Sequence, residues 1–352
     1  MTDQDVRDFL QRMSGEELVP FPDAGPLTRR AHRRAARTVA VGAMAVAAAV
    51  AVLFAGASKL REAAPTVPAN PSVDLGIFAP VVGRIVYCDN PDLWSVDPSA
   101  PSPVSTQELV GDGLCGPTNT WPLGWSSDGT QLLVVREDPT DVEGRHLYII
   151  HADGTETQVT PRRVGGAAIS PDGSRVVFAD DRSDGLYVVD AAGGQPVRIA
   201  HGEEPTFSPD GSQIAYLGLP RSGCCVGSGR EHVWVANADG TDAHEILTDE
   251  PALDKGVFGL AWSPAGDNIA MENTLGAHVA IYTFAPDGSD FTKVITGGAN
   301  PYWSPDGSQI AYELLSPGPY GLRIADADGS NVQAFGFGSS GPWHPGTLVN
   351  GA

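Results

Sequence analysis

From Gly83 onward, apolar and polar residues alternate in short runs such as "LYII", "LYVV" and "VWVA", and each run stops at a turn rich in Gly, Asp and Pro. A period of two is the pattern of a β-strand that shows different faces to different surroundings. The turns recur with the strands. An apolar strand end, a Ser-Pro-Asp-Gly turn and a second strand appear as "WSSDGTQLLVV" from Trp125, "ISPDGSRVVF" from Ile169, "FSPDGSQIAY" from Phe207, "WSPAGDNIAM" from Trp262 and "WSPDGSQIAY" from Trp303, with a truncated "WHPG" at Trp343. Start-to-start spacings of 44, 38, 55, 41 and 40 residues match the length of a four-stranded propeller blade.

The turn has a physical reason. Pro presets φ for the first central position of a type I turn, Asp suits the next, and Gly takes the left-handed position that closes a bulged hairpin. A second turn follows in each unit: "HADGTE" at His151, "DAAGGQ" at Asp190, "NADGTD" at Asn237, "APDGSD" at Ala285 and "DADGSN" at Asp326. Each unit is therefore two hairpins in series. The C-terminal "GPWHPG" supplies an innermost strand with nothing after it, and "GRIVY" at Gly83 supplies a following strand with nothing before it. The expectation is an all-β, six-bladed propeller whose first blade is stitched from both ends of the repeat region, which leaves no free sheet edge.

Composition agrees with a turn-rich β body: 42 Gly, 29 Pro and 41% hydrophobic residues. The formal charge of −21 is uneven, since residues 59–352 hold 37 acids against 15 bases, or −22. Such a body repels nucleic acid, so none is expected as a partner.

The N-terminal part reads differently. Thr38–Ala57, "TVAVGAMAVAAAVAVLFAGA", is twenty residues without a charge, about 30 Å as a helix and long enough to span a bilayer. Arg29, Arg30, Arg33, Arg34 and Arg37 on its N-terminal side predict an N-terminus kept in the cytoplasm and a C-terminal body that is exported. "AGA" at Ala55–Ala57 resembles a cleavage site and "TRR" at Thr28–Arg30 a twin-arginine signal, but the long apolar run favours a retained anchor. Val6, Phe9, Leu10 and Met13 sit at helical spacing behind Thr2. The expected organisation is a cytoplasmic tail (1–37), a transmembrane helix (38–58), a Pro-rich linker (59–82), the propeller (83–346) and a short tail (347–352).

All four cysteines follow the apolar segment, where an oxidising location makes Cys88, Cys115, Cys224 and Cys225 disulfide candidates. Cys88 and Cys115 flank the loop of one hairpin unit and form the natural local pair. Cys224 and Cys225 are adjacent and leave a vicinal disulfide, a partner thiol or reduced thiols open.

The repeats resemble the TolB-like propellers, built from WD-like repeats with the SPDG turn and found also in the propeller of dipeptidyl peptidase IV type enzymes. The likeness covers residues 83–346 and implies fold more than function. Residues 1–58 resemble, more loosely, the tail-plus-anchor layout of actinobacterial membrane proteins, anti-sigma factors included. They lack the zinc-binding pattern of many such domains, with no Cys and a single His, His32.

SPDG joins strands one and two and DADG joins strands three and four, so both turns lie on one regular face. The opposite face carries connections of varying length, and function on the propeller is expected there. Its candidates are Trp121, Arg162, Arg163, Glu203, Glu204, Asp254, Lys255 and Tyr302, with the arginine pair expected to face the acids at Glu203 and Glu204. The recurring aromatics Trp125, Phe207, Trp262, Trp303 and Trp343 read as core between blades. No GxSxG, HExxH or GxxxxGK[ST] motif occurs, so no catalytic residue, metal ligand or cofactor is assigned. The DxDG turns read as turns and not calcium loops. The resulting expectation is a membrane-anchored, extracytoplasmic module that binds a protein, peptide or envelope component; the alternatives are a transmembrane signalling protein that acts on a cytoplasmic regulator, and a metal-dependent hydrolase in the channel.

Overall fold

The computed structural model describes residues 74–89, 91–100, 107–116, 118–137, 144–218, 232–247, 257–275, 278–315, 321–335 and 341–345. The tail, the apolar segment Thr38–Ala57, most of the linker, Cys224, Cys225, Asp254 and Lys255 lie outside them. Among the described residues no helix is long and apolar enough to cross a membrane.

Six antiparallel sheets follow one another along the chain, each running in sequence order across its strands. Five have four strands. Their innermost strands are Thr120–Trp125 (blade 2), Val164–Ile169 (blade 3), Glu203–Phe207 (blade 4), Val257–Trp262 (blade 5) and Gly298–Trp303 (blade 6). Blade 1 contains Ile85–Asp89, Asp92–Val96 and Glu108–Gly111, and Trp343 bridges to Ile85 as the missing innermost strand.

The SPDG turn sets each hairpin by side-chain bonds as well as by dihedrals. In blade 2, Gly129 takes φ +71 and donates its N–H to the Ser126 carbonyl at 2.9 Å. Asp128 Oδ1 accepts from the Ser126 hydroxyl at 2.6 Å and from Thr130 N–H at 3.0 Å, while Ser126 Oγ accepts from Gln131 N–H at 3.1 Å. The same bonds recur around Asp172, Asp210 and Asp306. In blade 5, Ala265 replaces the Asp, and Ser263 Oγ accepts from Ala265 N–H at 3.2 Å instead. Hydrogen bonds from Ser170 and Ser174 hold the Asp172 carboxyl down to about 2, so these turns keep their acceptors down to strongly acid pH.

A propeller sheet buries both faces, and the core is accordingly divided among blade pairs. Leu133, Leu147 and Ile149 of blade 2 pack on Val176, Phe178 and Val189 of blade 3. Further clusters join blades 3 and 4, 4 and 5, and 5 and 6. Ile85, Tyr87 and Val96 then meet Ala311, Leu322 and Ile324 of blade 6, and Val86 and Leu93 meet Leu132, Val134 and Ile150 of blade 2. The ring is closed. Trp125, Phe207, Trp262 and Trp303 hold equivalent places in these interfaces, and the last three are at most 9% exposed.

One sequence expectation needs correction. The spacer does not run to residue 82, because Gly76–Val81 forms a 3-10 turn with Phe78 and Val81 fully buried. Phe78 meets Trp125 edge to face at 4.7 Å, and Ile77 N–H donates to the Ala152 carbonyl at 2.8 Å. This short segment covers the joint between blades 1 and 2, and its Pro and small residues mask any periodicity. Blade 1 is also tied internally by a Cys88–Cys115 disulfide with Cα atoms 5.8 Å apart.

At the closure, His344 stands where the other blades have the turn Ser. It is 1% exposed, its backbone N–H donates to the Arg84 carbonyl at 2.9 Å, and its Nε2–H donates to the Gly129 carbonyl at 3.2 Å. Burial lowers its pKa from 6.5 to about 4. The folded pKa is depressed, so the unfolded chain binds a proton that the folded chain refuses between these values. The stability gained from the neutral imidazole is complete above pH 6.5 and lost as pH falls toward 4, in total about 3 kcal/mol. Desolvated Glu203 and Glu272 titrate in the opposite sense nearby, so the difference between wild type and His344→Gln isolates the effect. Urea unfolding at steps from pH 7 to 4 should show the wild type losing about 3 kcal/mol relative to the variant; parallel curves would remove His344 from the account.

Candidate functional site

All innermost strands run from the irregular face to the SPDG face, so their first residues stand at the mouth of the axial channel on the irregular side. Each of the five has a register break against its neighbour, between Pro122 and Gly124, Val164 and Ala167, Glu203 and Thr206, Phe258 and Ala261, and Ala299 and Tyr302. The break has the same offset from the last residue of the strand in blades 4, 5 and 6 and other offsets in blades 2 and 3, and a bulge of this kind re-aims the side chains beside it.

At the bulge, Glu204, Gly259 and Asn300 occupy equivalent positions with φ of +50, +56 and +50. Glycine and asparagine suit this conformation; glutamate does not, and its strain is on the order of 1 kcal/mol. Its carboxylate is used between blades. Glu204 Oε2 accepts from Gly259 N–H at 3.3 Å, and one blade further on Glu272 Oε2 accepts from Asn300 N–H at 2.8 Å. Asn300 Nδ2 also donates to Glu313 Oε2 at 3.3 Å. Two channel carboxylates thus latch successive blades together.

The channel is a desolvated, acidic place. Burial raises the pKa of Glu272, opposed by the Asn300 bond and reinforced by Glu313. Burial also raises Glu203, with further help from Asp184 and Asp181. Tyr302 sends its hydroxyl across to the Pro122 carbonyl at 3.4 Å, linking blade 6 to blade 2, and burial with Glu313 and Glu204 keeps that hydroxyl protonated.

Trp121 and Phe258 occupy the second position of their innermost strands and are 39% and 47% exposed. Blades 2 and 5 stand opposite one another in a six-membered ring, and both aromatics occupy the same strand position, as does Glu203 relative to Phe207 in blade 4. Arg145 lies over the Trp121 ring at 5.4 Å. The arginine pair does not form the expected cross-blade partnership through Arg162: that side chain bonds Asp180 within blade 3 at 2.8 Å and stacks on Tyr187 at 4.5 Å. Asp180 is the nearer carboxylate because it ends the second strand of blade 3 directly opposite Val164, which lies two residues after Arg162. Arg163 lines a cleft with it. Glu272, Glu313 and Phe258 were not singled out from sequence, although Glu272 and Glu313 fall at the same offset after the turn Ser in consecutive repeats. Among the described residues no group of three or more His, Cys, Asp or Glu side chains is arranged to hold a metal ion.

These features define a closed six-bladed β-propeller with a bulged, acidic channel. No family model matches the chain. It is similar to a TolB-type protein from Agrobacterium tumefaciens (TM-score 0.55, 20% identity, covering 69% of this chain and 91% of that one). It is likewise similar to TolB from Acinetobacter baumannii (TM-score 0.59, 17% identity, 75% and 67% covered). Among curated sequences it resembles an uncharacterised protein of Agrobacterium fabrum, 28% identical over 220 residues, or 55% of this chain and 69% of the relative. The structural likeness is one of fold.

Replacing Glu272 by Ala leaves the Asn300 N–H without its acceptor and should cost about 1–3 kcal/mol in urea unfolding, whereas Glu272→Gln, whose amide oxygen still accepts, should cost less. Equal losses for both would show that the bond does not latch the blades.

Proposed function

We propose that the chain is a membrane-anchored, extracytoplasmic propeller that binds a protein, peptide or envelope component at the channel mouth on its irregular face. The observation that carries this reading is the exposed aromatic pair, Trp121 and Phe258, on opposite blades of that mouth. The other large apolar side chains exposed among the described residues, Leu109, Val197 and Val332, lie on or beside outermost strands. Solvent-facing aromatics on a rigid scaffold favour partner binding, because burying them gains much apolar area at little cost in side-chain entropy. The anchor part of the reading rests on Thr38–Ala57 and its flanking arginines. The candidates Arg162, Arg163, Glu203 and Glu204 precede or open their innermost strands, Asp254 and Lys255 precede that of blade 5, and Tyr302 is the fifth of the six residues Gly298–Trp303, toward the SPDG turn.

The test is cross-linking in the native cell followed by purification of the 352-residue protein, its Trp121→Ala/Phe258→Ala double variant and a form without residues 1–37. A partner retained by the first and third, and reduced at least tenfold in the second with an unchanged melting temperature, is expected. Equal retention by the double variant would move binding away from the mouth. A partner lost with the tail would favour the signalling alternative.

A further inference from the structure

Blade 1 is joined to blade 2 by the segment between Gly111, which ends the outermost strand of blade 1, and Thr120, which opens the innermost strand of blade 2. On the irregular face this segment crosses from the rim of the ring to the channel mouth. Its described residues, 112–116, 118 and 119, belong to no strand, so no ladder of hydrogen bonds holds them. A covalent tie falls in their midst: Cys115 is bonded to Cys88 in the second strand of blade 1.

The hydrogen bonds of the segment gather around this tie. Cys115 N–H donates to the Pro91 carbonyl at 2.8 Å and Gly113 N–H to Asp92 Oδ1 at 2.9 Å, so the segment rests on the turn between Asp89 and Asp92. Arg136 Nη2 donates to the Leu114 carbonyl at 3.1 Å, and Glu156 holds the same guanidinium at 3.0 and 3.2 Å. The Thr120 hydroxyl donates to the Cys115 carbonyl. The next residue is Trp121, the exposed aromatic of blade 2 at the mouth. From the disulfide to Trp121 is therefore two steps, across one hydrogen bond and one peptide unit. The two sulfurs are unequally shielded, since Cys115 is fully buried whereas Cys88 is half-buried beside exposed Asp89. An attacking thiolate reaches Cys88 first.

We propose that the Cys88–Cys115 disulfide is a redox-sensitive brace: intact, it fixes the segment between Gly111 and Thr120 and with it Trp121, and reduction by a dithiol releases that segment without opening the ring. Without the tie the segment depends on isolated hydrogen bonds at a surface, where water replaces each at small net cost. The joint between blades 1 and 2 keeps Val86, Leu93, Leu132, Val134 and Ile150 packed in either state. In the reaction, one thiolate of the dithiol attacks Cys88 Sγ, the bond between the two Sγ atoms breaks, and Cys115 leaves as a thiolate that takes up a proton. The second thiolate of the dithiol then attacks the reductant's own sulfur in the mixed disulfide and displaces Cys88, so that two electrons and two protons pass from the reductant to the protein. The effect on binding rests on the function proposed for the mouth; the release of the segment does not.

The experiment is hydrogen-exchange mass spectrometry of the 352-residue protein, untreated and after dithiothreitol, beside Cys88→Ser and Cys224→Ser/Cys225→Ser. Amides of residues 113–121 should exchange at least tenfold faster after dithiothreitol and in untreated Cys88→Ser, while those in the second strands of blades 3 to 6 change less than twofold. Cys224→Ser/Cys225→Ser should match the wild type in both states, which assigns the effect to the Cys88–Cys115 bond. Unchanged exchange at 113–121 would overturn the brace. So would acceleration by the same factor in every blade, the behaviour of a disulfide that only stabilises the fold. Capture of the mouth's partner should fall at least tenfold in Cys88→Ser; full capture by it, with none by Trp121→Ala/Phe258→Ala, would overturn the control of the mouth. If Trp121→Ala/Phe258→Ala captures as well as the wild type, the function proposed for the mouth fails, and the exchange rates still decide the brace.

Discussion

A twisted four-stranded sheet with two apolar faces is not stable alone in water, and a row of such sheets still exposes a face at each end. Only a ring removes both ends. Here the ring depends on one joint, where the C-terminal Trp343 bridges Ile85 and donates its indole N–H to the Gly83 carbonyl at 2.9 Å. The adjoining His344 stacks edge-on against Trp125 at 4.6 Å and bonds Gly129, so the last described segment touches blades 1 and 2 at once. Because the two interfaces of blade 1 bury seven and nine hydrophobic residues, loss of closure uncovers surface on both sides of the break.

That constraint shapes everything on the two faces of the ring. The SPDG face is occupied by closely similar turns, saturated by their own Ser and Asp side chains in blades 2, 3, 4 and 6 and by Ser263 alone in blade 5, and has little freedom to vary. The other face bears no such load. Its connections differ from blade to blade, and there the exposed aromatics of blades 2 and 5 and the arginine cleft between blades 2 and 3 are found. Even the acidic channel beneath them serves closure first, since Glu204 and Glu272 each hold a backbone N–H of the following blade. Carboxylates that look like a binding site in isolation are, in their bonding, links between sheets.

The repeat unit was legible because the turn chemistry leaves a direct trace: Pro, Asp and Gly at fixed offsets are required by the dihedrals of the hairpin. Strand order, blade number and the pairing of Trp343 with the strand at Gly83 followed from that trace. The Cys88–Cys115 bond was legible for a related reason, both cysteines lying in one hairpin unit. The packing of Gly76–Val81 was not, because a 3-10 turn of six residues carries no periodicity and its anchoring Phe78 looks like any apolar residue in a linker. The partner of Arg162 was also hidden. Two arginines beside one inner strand and two glutamates on the next suggest a cross-blade pair, but Asp180, at the end of the second strand of the same blade and opposite Val164, reaches the guanidinium first.

The account therefore stands on the closing joint, and the most direct measurement is thermal unfolding of a chain that ends at Ser340, beside the intact protein. Loss of the bridge and of the Trp343 and His344 contacts should lower stability by at least about 3–5 kcal/mol, the cost of deleting one buried aromatic. The melting temperature should then fall by roughly 10 °C or more. An unchanged melting temperature would contradict the account, because it would mean that blade 1 is complete without its C-terminal strand.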